Sequence, residues 1–267
     1  MATIYPNIIY HADTETEIFI DTLQSIGNPR NADVVEYTSA VDGKPKSFTR
    51  SPGQRALMLN GKISTENENT LRRQLDYLIG EQVYIMLGAE NLATLAKIRS
   101  YNFSKAVGTY TPLTLDVVCD GSSEGTHWKG TDYYSASSST PIDDADATGG
   151  RCMRLYNTGS SVKQRIAHSA WQLPEGNYTL YARVKDQFQV TDDIKLLVRN
   201  YTDGADIASA TFTAEADDYF NPIYKIVVLD FTIDGSDVGD RMDISVIKNT
   251  SNSNDVYLDY MGFVRRD

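Results

Sequence analysis

Three histidines, His11, His127 and His168, are the first candidates for acid–base or nucleophilic chemistry in this chain. None stands in HExxH spacing, beside a CxxC pair or within a GxSxG elbow, and no glycine-rich loop is placed to cradle a phosphate. Titratable residues rarely catalyse alone, so each histidine reads as structural or exposed. Asp and Glu together number 36. A carboxylate pair becomes a glycosidase signature only at a defined spatial separation, which spacing along the chain does not supply. No catalytic constellation emerges, and the expected activity is binding rather than turnover.

Two acidic features could hold a cation. The stretch DADATG, Asp144 to Gly149, has oxygen donors at positions one, three and five and glycine at six, as an EF-hand loop begins. Position twelve is Leu155 instead of a bidentate Glu, and no helices flank the loop, so the EF-hand is rejected. An acidic surface loop is the plainer reading and a calcium site of another type the sharper one. Asp259, in VYLDYMGF, falls between apolar neighbours in the last expected strand. Its side chain must face either solvent or a specific partner, of which calcium is one.

Aromatic residues offer a different chemistry. Flat rings cover the C–H faces of sugars while polar side chains fix the hydroxyls. Trp128, Tyr133, Tyr134, Tyr156 and Trp171 lie in or near loops and early strands of the second half. Tyr133 and Tyr134, inside the polar KGTDYYSASSST, are the strongest candidates, with packing at a loop base as the alternative. Trp128 and Trp171 are further glycan candidates, although Trp171 precedes a turn and an alternating strand, which favours core or rim packing.

The elements that position these residues follow from pattern. At 267 residues the chain suits two domains, and 41% hydrophobic residues suffice for real cores. A net charge of −11 without a basic run disfavours nucleic acid. No apolar run approaches the roughly 20 residues that span a bilayer, and the N-terminus lacks the pattern of a secretory signal, so neither membrane insertion nor signal-directed export is expected. Cys119 and Cys152 sit in strand-like contexts suited to buried free thiols, a disulfide being the alternative.

Composition changes near residue 120. Residues 1–119 read as strands around one helix: Thr65 and Glu68 have capping-box spacing, Leu71, Leu75, Leu78 and Ile79 form one stripe, and Gly80 supplies the stop. Asp42-Gly43 signals a hairpin, and Asn60-Gly61 either a second one or the middle of a strand. DGSSEG reads as a short linker, and SASSST as a surface loop. Residues 120–267 then give about eight short strands and no helix pattern. In NYTLYARVKD, Tyr178, Leu180, Ala182 and Val184 share a face expected to be buried, with Thr179, Tyr181, Arg183 and Lys185 on a face expected to be wet. The fold class is therefore mainly β: an N-terminal barrel or sandwich with one packed helix, then a jelly-roll β-sandwich.

Two resemblances rest on these residues. SSVKQRIAHSAWQLPEGNYTLYARVKD and the terminal NDVYLDYMGFV resemble the carbohydrate-binding jelly rolls of the family 6 and 35 type, over roughly the last 140 residues. That resemblance implies glycan binding and structural calcium, held by acidic residues of the first strand, where Glu124 stands, and by the Asp of the last, where Asp259 stands. The first strand here, EGTHWKG, departs from the usual paired glutamates. FTRSPGQRALMLNGKISTENENTLRRQLDYLIGEQVYIML resembles the barrel-plus-helix domain of distal tail and tail-tube proteins of tailed viruses. It implies a non-enzymatic virion structural protein assembled in the host cytoplasm, forming a homo-oligomeric ring such as a hexamer with other tail proteins, and touching host surface glycans through its second domain. A cell-surface carbohydrate-binding or adhesion module is the alternative.

Overall fold

Alternating apolar residues build most of this molecule. The computed structural model describes residues 7–20, 22–27, 34–38, 45–49, 55–87, 92–131, 133–167, 172–188, 190–215 and 221–266, which divide into two compact units. The first comprises Asn7–Ile85 and Thr94–Glu124; the second is Gly125–Asp267, with which Met86–Ala93 also groups. The structure is mainly β, with one α-helix among the described residues.

The first unit runs β1 (Asn7–His11), β2 (Thr16–Phe19), β3 (Thr22–Gly27), β4 (Val34–Thr38), β5 (Pro45–Thr49), β6 (Arg55–Ser64), α1 (Glu68–Leu78), β7 (Gln82–Leu87), β8 (Leu92–Phe103) and the first part of β9 (Tyr110–Lys129). Its sheet follows the order β9-β8-β7-β1-β2, with β6 pairing both β9 and β3. Period-two burial is clean in β6 and β9: Leu57, Leu59 and Ile63 are buried, as are Leu113, Leu115 and Val117. Asn60-Gly61 lies inside β6 rather than at a turn. The Asp42-Gly43 turn lies outside the described residues, although the flanking β4 and β5 pair antiparallel.

The helix begins differently from its capping-box pattern. A 3-10 turn, Thr65–Asn67, precedes α1, and the residue at the helix N-cap is Asn67. Glu68 is drawn instead to Arg72 at 2.9 Å and Thr111 at 3.0 Å, so its carboxylate is unavailable for the reciprocal cap. Leu75 and Leu78 are buried, whereas Ile79 is exposed beyond the helix end. Gly80 then adopts φ +84°, as the stop requires.

DGSSEG, residues 120–125, falls within β9 and is strand rather than a loop. The second unit adds β10 (Ser135–Ser137), β11 (Ser139–Asp143), β12 (Arg151–Leu155), β13 (Ser161–Ala167), β14 (Gly176–Asp186), β15 (Ile194–Asn200), β16 (Ala205–Phe212), β17 (Lys225–Ile233), β18 (Met242–Lys248) and β19 (Val256–Arg265). SASSST is thus two short strands meeting at Ser138, where φ is +46°. One sheet centres on β19, which pairs β14 on one side and β12 and the end of β9 on the other; β17 and β11 flank it. The other sheet has the order β10-β13-β18-β15-β16.

Between the sheets lies one continuous apolar core, drawing Tyr178, Leu180, Ala182 and Val184 from β14, Leu196 and Val198 from β15, and Ile244 and Val246 from β18. Burial of such side chains, worth about 1.5–3 kcal/mol each, is what fixes register in these strands. The opposite face of β14 is not wet. Thr179, Tyr181 and Arg183 are buried as well, because further side chains and loops cover them.

Candidate functional site

On the outer face of the β14–β19 sheet, the register slips by one residue: Arg183 pairs with Tyr260, but Val184 pairs with Leu258. Asp259 is the extra residue of this bulge. One of its carboxylate oxygens accepts Arg183 Nη1 at 2.7 Å and the Thr148 backbone N–H at 3.0 Å; the Thr148 hydroxyl lies 2.8 Å from both oxygens. Burial pushes the Asp259 carboxyl up from the ordinary aspartate range, while Arg183 and Thr148 oppose that shift. Next to this pair, Lys185 and the Tyr224 hydroxyl donate to Asp144 Oδ2 at 2.7 and 2.9 Å. Burial alone would raise the Asp144 pKa, but these donors and the Asp146 N–H outweigh it and hold it low. Thus the 144–149 loop is no simple acidic surface loop: Ala147 is buried with Cys152 and Tyr224, and the loop roofs Asp259.

This arrangement does not fit the calcium implied by the family resemblance. A divalent cation at Asp259 would have to share its carboxylate with a guanidinium 2.7 Å away, which is itself buried and needs that carboxylate for charge balance. The Glu124 side chain lies outside the described residues, and so does Trp171. Asp203, Asp237 and Asp240 do converge, but on the side-chain amide of Asn200, at 3.3, 3.1 and 2.7 Å. Cys119 and Cys152 are buried and form no disulfide, and burial raises the Cys152 thiol to a pKa of about 11.

The glycan candidates separate. Trp128 is half-buried and packs against the sandwich core, its ring centroid 6.0 Å from that of Phe263. Tyr133 and Tyr134 are 45% and 55% exposed. Tyr134 leads into β10, held by its N–H to the Lys163 carbonyl at 3.0 Å, and its ring lies 3.8 Å from the Arg165 guanidinium carbon. Arg165 is in turn fixed by Asp243 at 3.0 Å. The ring is therefore positioned before any ligand arrives, and ligand binding need not freeze it.

Strand alternation extends this arrangement across the five-stranded sheet. Val162 and Ile166, Ile194 through Val198, and Met242 through Val246 alternate into the core, which sends Lys163, Arg165, Lys195, Arg199, Asp243 and Ser245 outward. At the end of β15, Tyr201 lies among them: the Lys163 ammonium donates to its hydroxyl at 3.2 Å, and Arg199 and Arg241 lie 5.6 and 4.8 Å from its ring centroid. The result is an outer face on which Asp243, Ser245 and Leu197 are buried, and which carries an exposed Tyr134 and a half-buried Tyr201 beside cationic donors. Tyr134 was legible as a candidate; Tyr201 and its cations, drawn from β13, β15 and the residue before β18, were not. A strand-face alignment marking outward aromatics beside outward Lys and Arg would have found them.

Neither a protein-family model nor a curated protein matches the sequence. Solved structures similar to it include the C-terminal family 6 carbohydrate-binding module of LamC, a marine laminarinase from Zobellia galactanivorans, at 12% identity, over 53% of this chain and 99% of that one, TM-score 0.38. A β-1,3-glucan-binding family 6 module from Bacillus halodurans is 17% identical over 53% and 95%, TM-score 0.38. The Dit protein of phage SPP1, from the hub adsorption apparatus of phages infecting Gram-positive hosts, is 14% identical over 92% and 93%, TM-score 0.31. At these values the likeness is one of fold alone.

Proposed function

We propose that this chain is a non-catalytic glycan-binding protein, and that it serves as a structural component of a viral tail, in a distal tail or baseplate ring. The observation that carries the glycan reading is the Tyr134 ring, more than half exposed yet pinned by Arg165 in a polar surround. A sugar would lay a C–H face on that ring, with its hydroxyls meeting donors from Lys163 and the Tyr201 hydroxyl. The Asp259–Arg183 and Asp144–Lys185 pairs are assigned to holding the fold, because their charges satisfy one another. Assembly through the first unit follows from the resemblance of its strand–helix–strand segment to tail proteins, and a free cell-surface adhesion module would share the same sugar face without the ring.

A glycan array probed with the full chain and with Tyr134→Ala tests the binding reading. Wild type is expected to give discrete hits that the variant loses, with unchanged thermal unfolding. An array blank for wild type would falsify it.

A further inference from the structure

The chain carries a net charge of −11, yet the outer face of its five-stranded sheet gathers cations around one phenol ring. Lys163, Arg199 and Arg241 surround Tyr201 at 5.9, 5.6 and 4.8 Å from the ring centroid. Two of the face's carboxylates are already committed, Asp243 to Arg165 at 3.0 Å and Asp206 to Arg199 at 3.2 Å. Among the described residues, Lys163, Lys195 and Arg241 form no ion pair. Cation–π attraction, about 0.5–1 kcal/mol at exposed sites, favours each cation over the ring but does nothing for the repulsion between them. An anion placed between Lys163 and Arg241 would relieve that repulsion.

We infer that this face binds an anionic sugar, its carboxylate or phosphate held by Lys163 and Arg241 beside Tyr201 and its ring extending toward Tyr134. This rests on the glycan reading above and names the class of glycan. Arg241 presents a planar fork suited to either oxyanion, and Lys163 a mobile ammonium already placed by the Tyr201 hydroxyl. The three aspartates gathered on Asn200, next to Tyr201 in sequence, make the neighbouring turn negative. The charged end of a ligand is thereby directed over the sheet and away from that turn. Long polyanions are a poorer match: beyond a Debye length of about 8 Å the cations are screened, and extended phosphate backbones would meet an acidic protein.

The test uses the full chain on an array printed with neutral, uronate-bearing, sialylated and sugar-phosphate glycans, read at 50 and 300 mM NaCl. Hits are expected among the acidic glycans, weakening several-fold at the higher salt. Arg241→Gln and Lys163→Gln should each lower affinity about tenfold, as loss of a charge-assisted hydrogen bond does, while Arg241→Lys, which keeps the charge but not the fork, falls between wild type and Arg241→Gln. The carboxylate and phosphate arms tell which oxyanion is preferred, and either result supports the inference. Hits confined to neutral glycans, lost in Tyr134→Ala but unmoved by Arg241→Gln and by salt, would overturn the anion site and leave glycan binding intact. No wild-type hits on any arm would overturn both. Melting temperatures equal to wild type establish that the exposed-site variants fold.

Discussion

At the scale of single residues, the most consequential feature is the buried Arg183–Asp259 pair. Removing one partner strands the other charge in a site that cannot hydrate it, which costs about 3–5 kcal/mol. Asp259→Ala and Arg183→Met are each expected to destabilise by that order in urea unfolding, and the double variant by clearly less than their sum. Additive losses would show that the two charges do not compensate one another. The neighbouring Asp144 has a depressed folded pKa, so its contribution to stability is present above the unfolded aspartate value of about 3.9 and is lost as pH falls through the lower folded value. Asp144→Asn should therefore flatten the acid limb of a stability–pH profile. Asp259 has the opposite sign: its raised folded pKa means its contribution is full below the unfolded value and lost as pH rises through the folded one. Asp259 was legible as an anomaly because a charge between apolar strand neighbours demands a partner. Arg183, 76 positions away, was not, since only the pairing of β14 with β19 brings it there.

At the scale of elements, period-two alternation marked the C-terminal strands because their inward faces meet one apolar core. Alternation fails where both faces are covered. Tyr181 reads as outward, yet it is buried beside Tyr260, and its hydroxyl lies where a side chain at Gly262 would be. Nothing local to NYTLYARVKD encodes that second cover. A methyl added at Gly262 would sit 2.3 Å from the Tyr181 hydroxyl and 2.4 Å from the Thr126 carbonyl oxygen. The second neighbour is backbone and cannot swing aside. Gly262→Ala is thus expected to push β19 off the end of β9 and to cost about 1–3 kcal/mol, seen as a lower melting temperature. An unchanged melting temperature would mean that this pairing yields freely. DGSSEG misled for a related reason: its small polar residues signal a break, but a strand needs only backbone partners to continue, and ladder bonds to β19 resume at Gly125.

For the whole molecule, the proposed glycan face raises the question of how it would gain useful affinity. Two tyrosines and a few donors on a sheet face would hold a ligand far less tightly than an enclosing pocket does, so a single face is expected to bind weakly. Copies linked in a ring convert later contacts into intramolecular ones and raise avidity by about 10²–10⁴ without any new contact. The first unit carries exposed apolar side chains suited to self-association, among them Met58, Tyr77, Val107 and Tyr110, from 47% to 73% exposed. Mass photometry of the full chain at micromolar concentration should accordingly give multiples of 29.7 kDa. Val107→Glu and Met58→Glu, each placing a charge at one of these exposed positions, should shift the distribution toward monomer. They should also lower binding to a glycan-coated surface by at least tenfold, while leaving monovalent affinity in solution unchanged. A wild-type chain that is monomeric throughout this range would remove the ring and favour the adhesion-module reading. Oligomers whose surface avidity equals that of the monomer would show instead that the faces cannot engage one surface together.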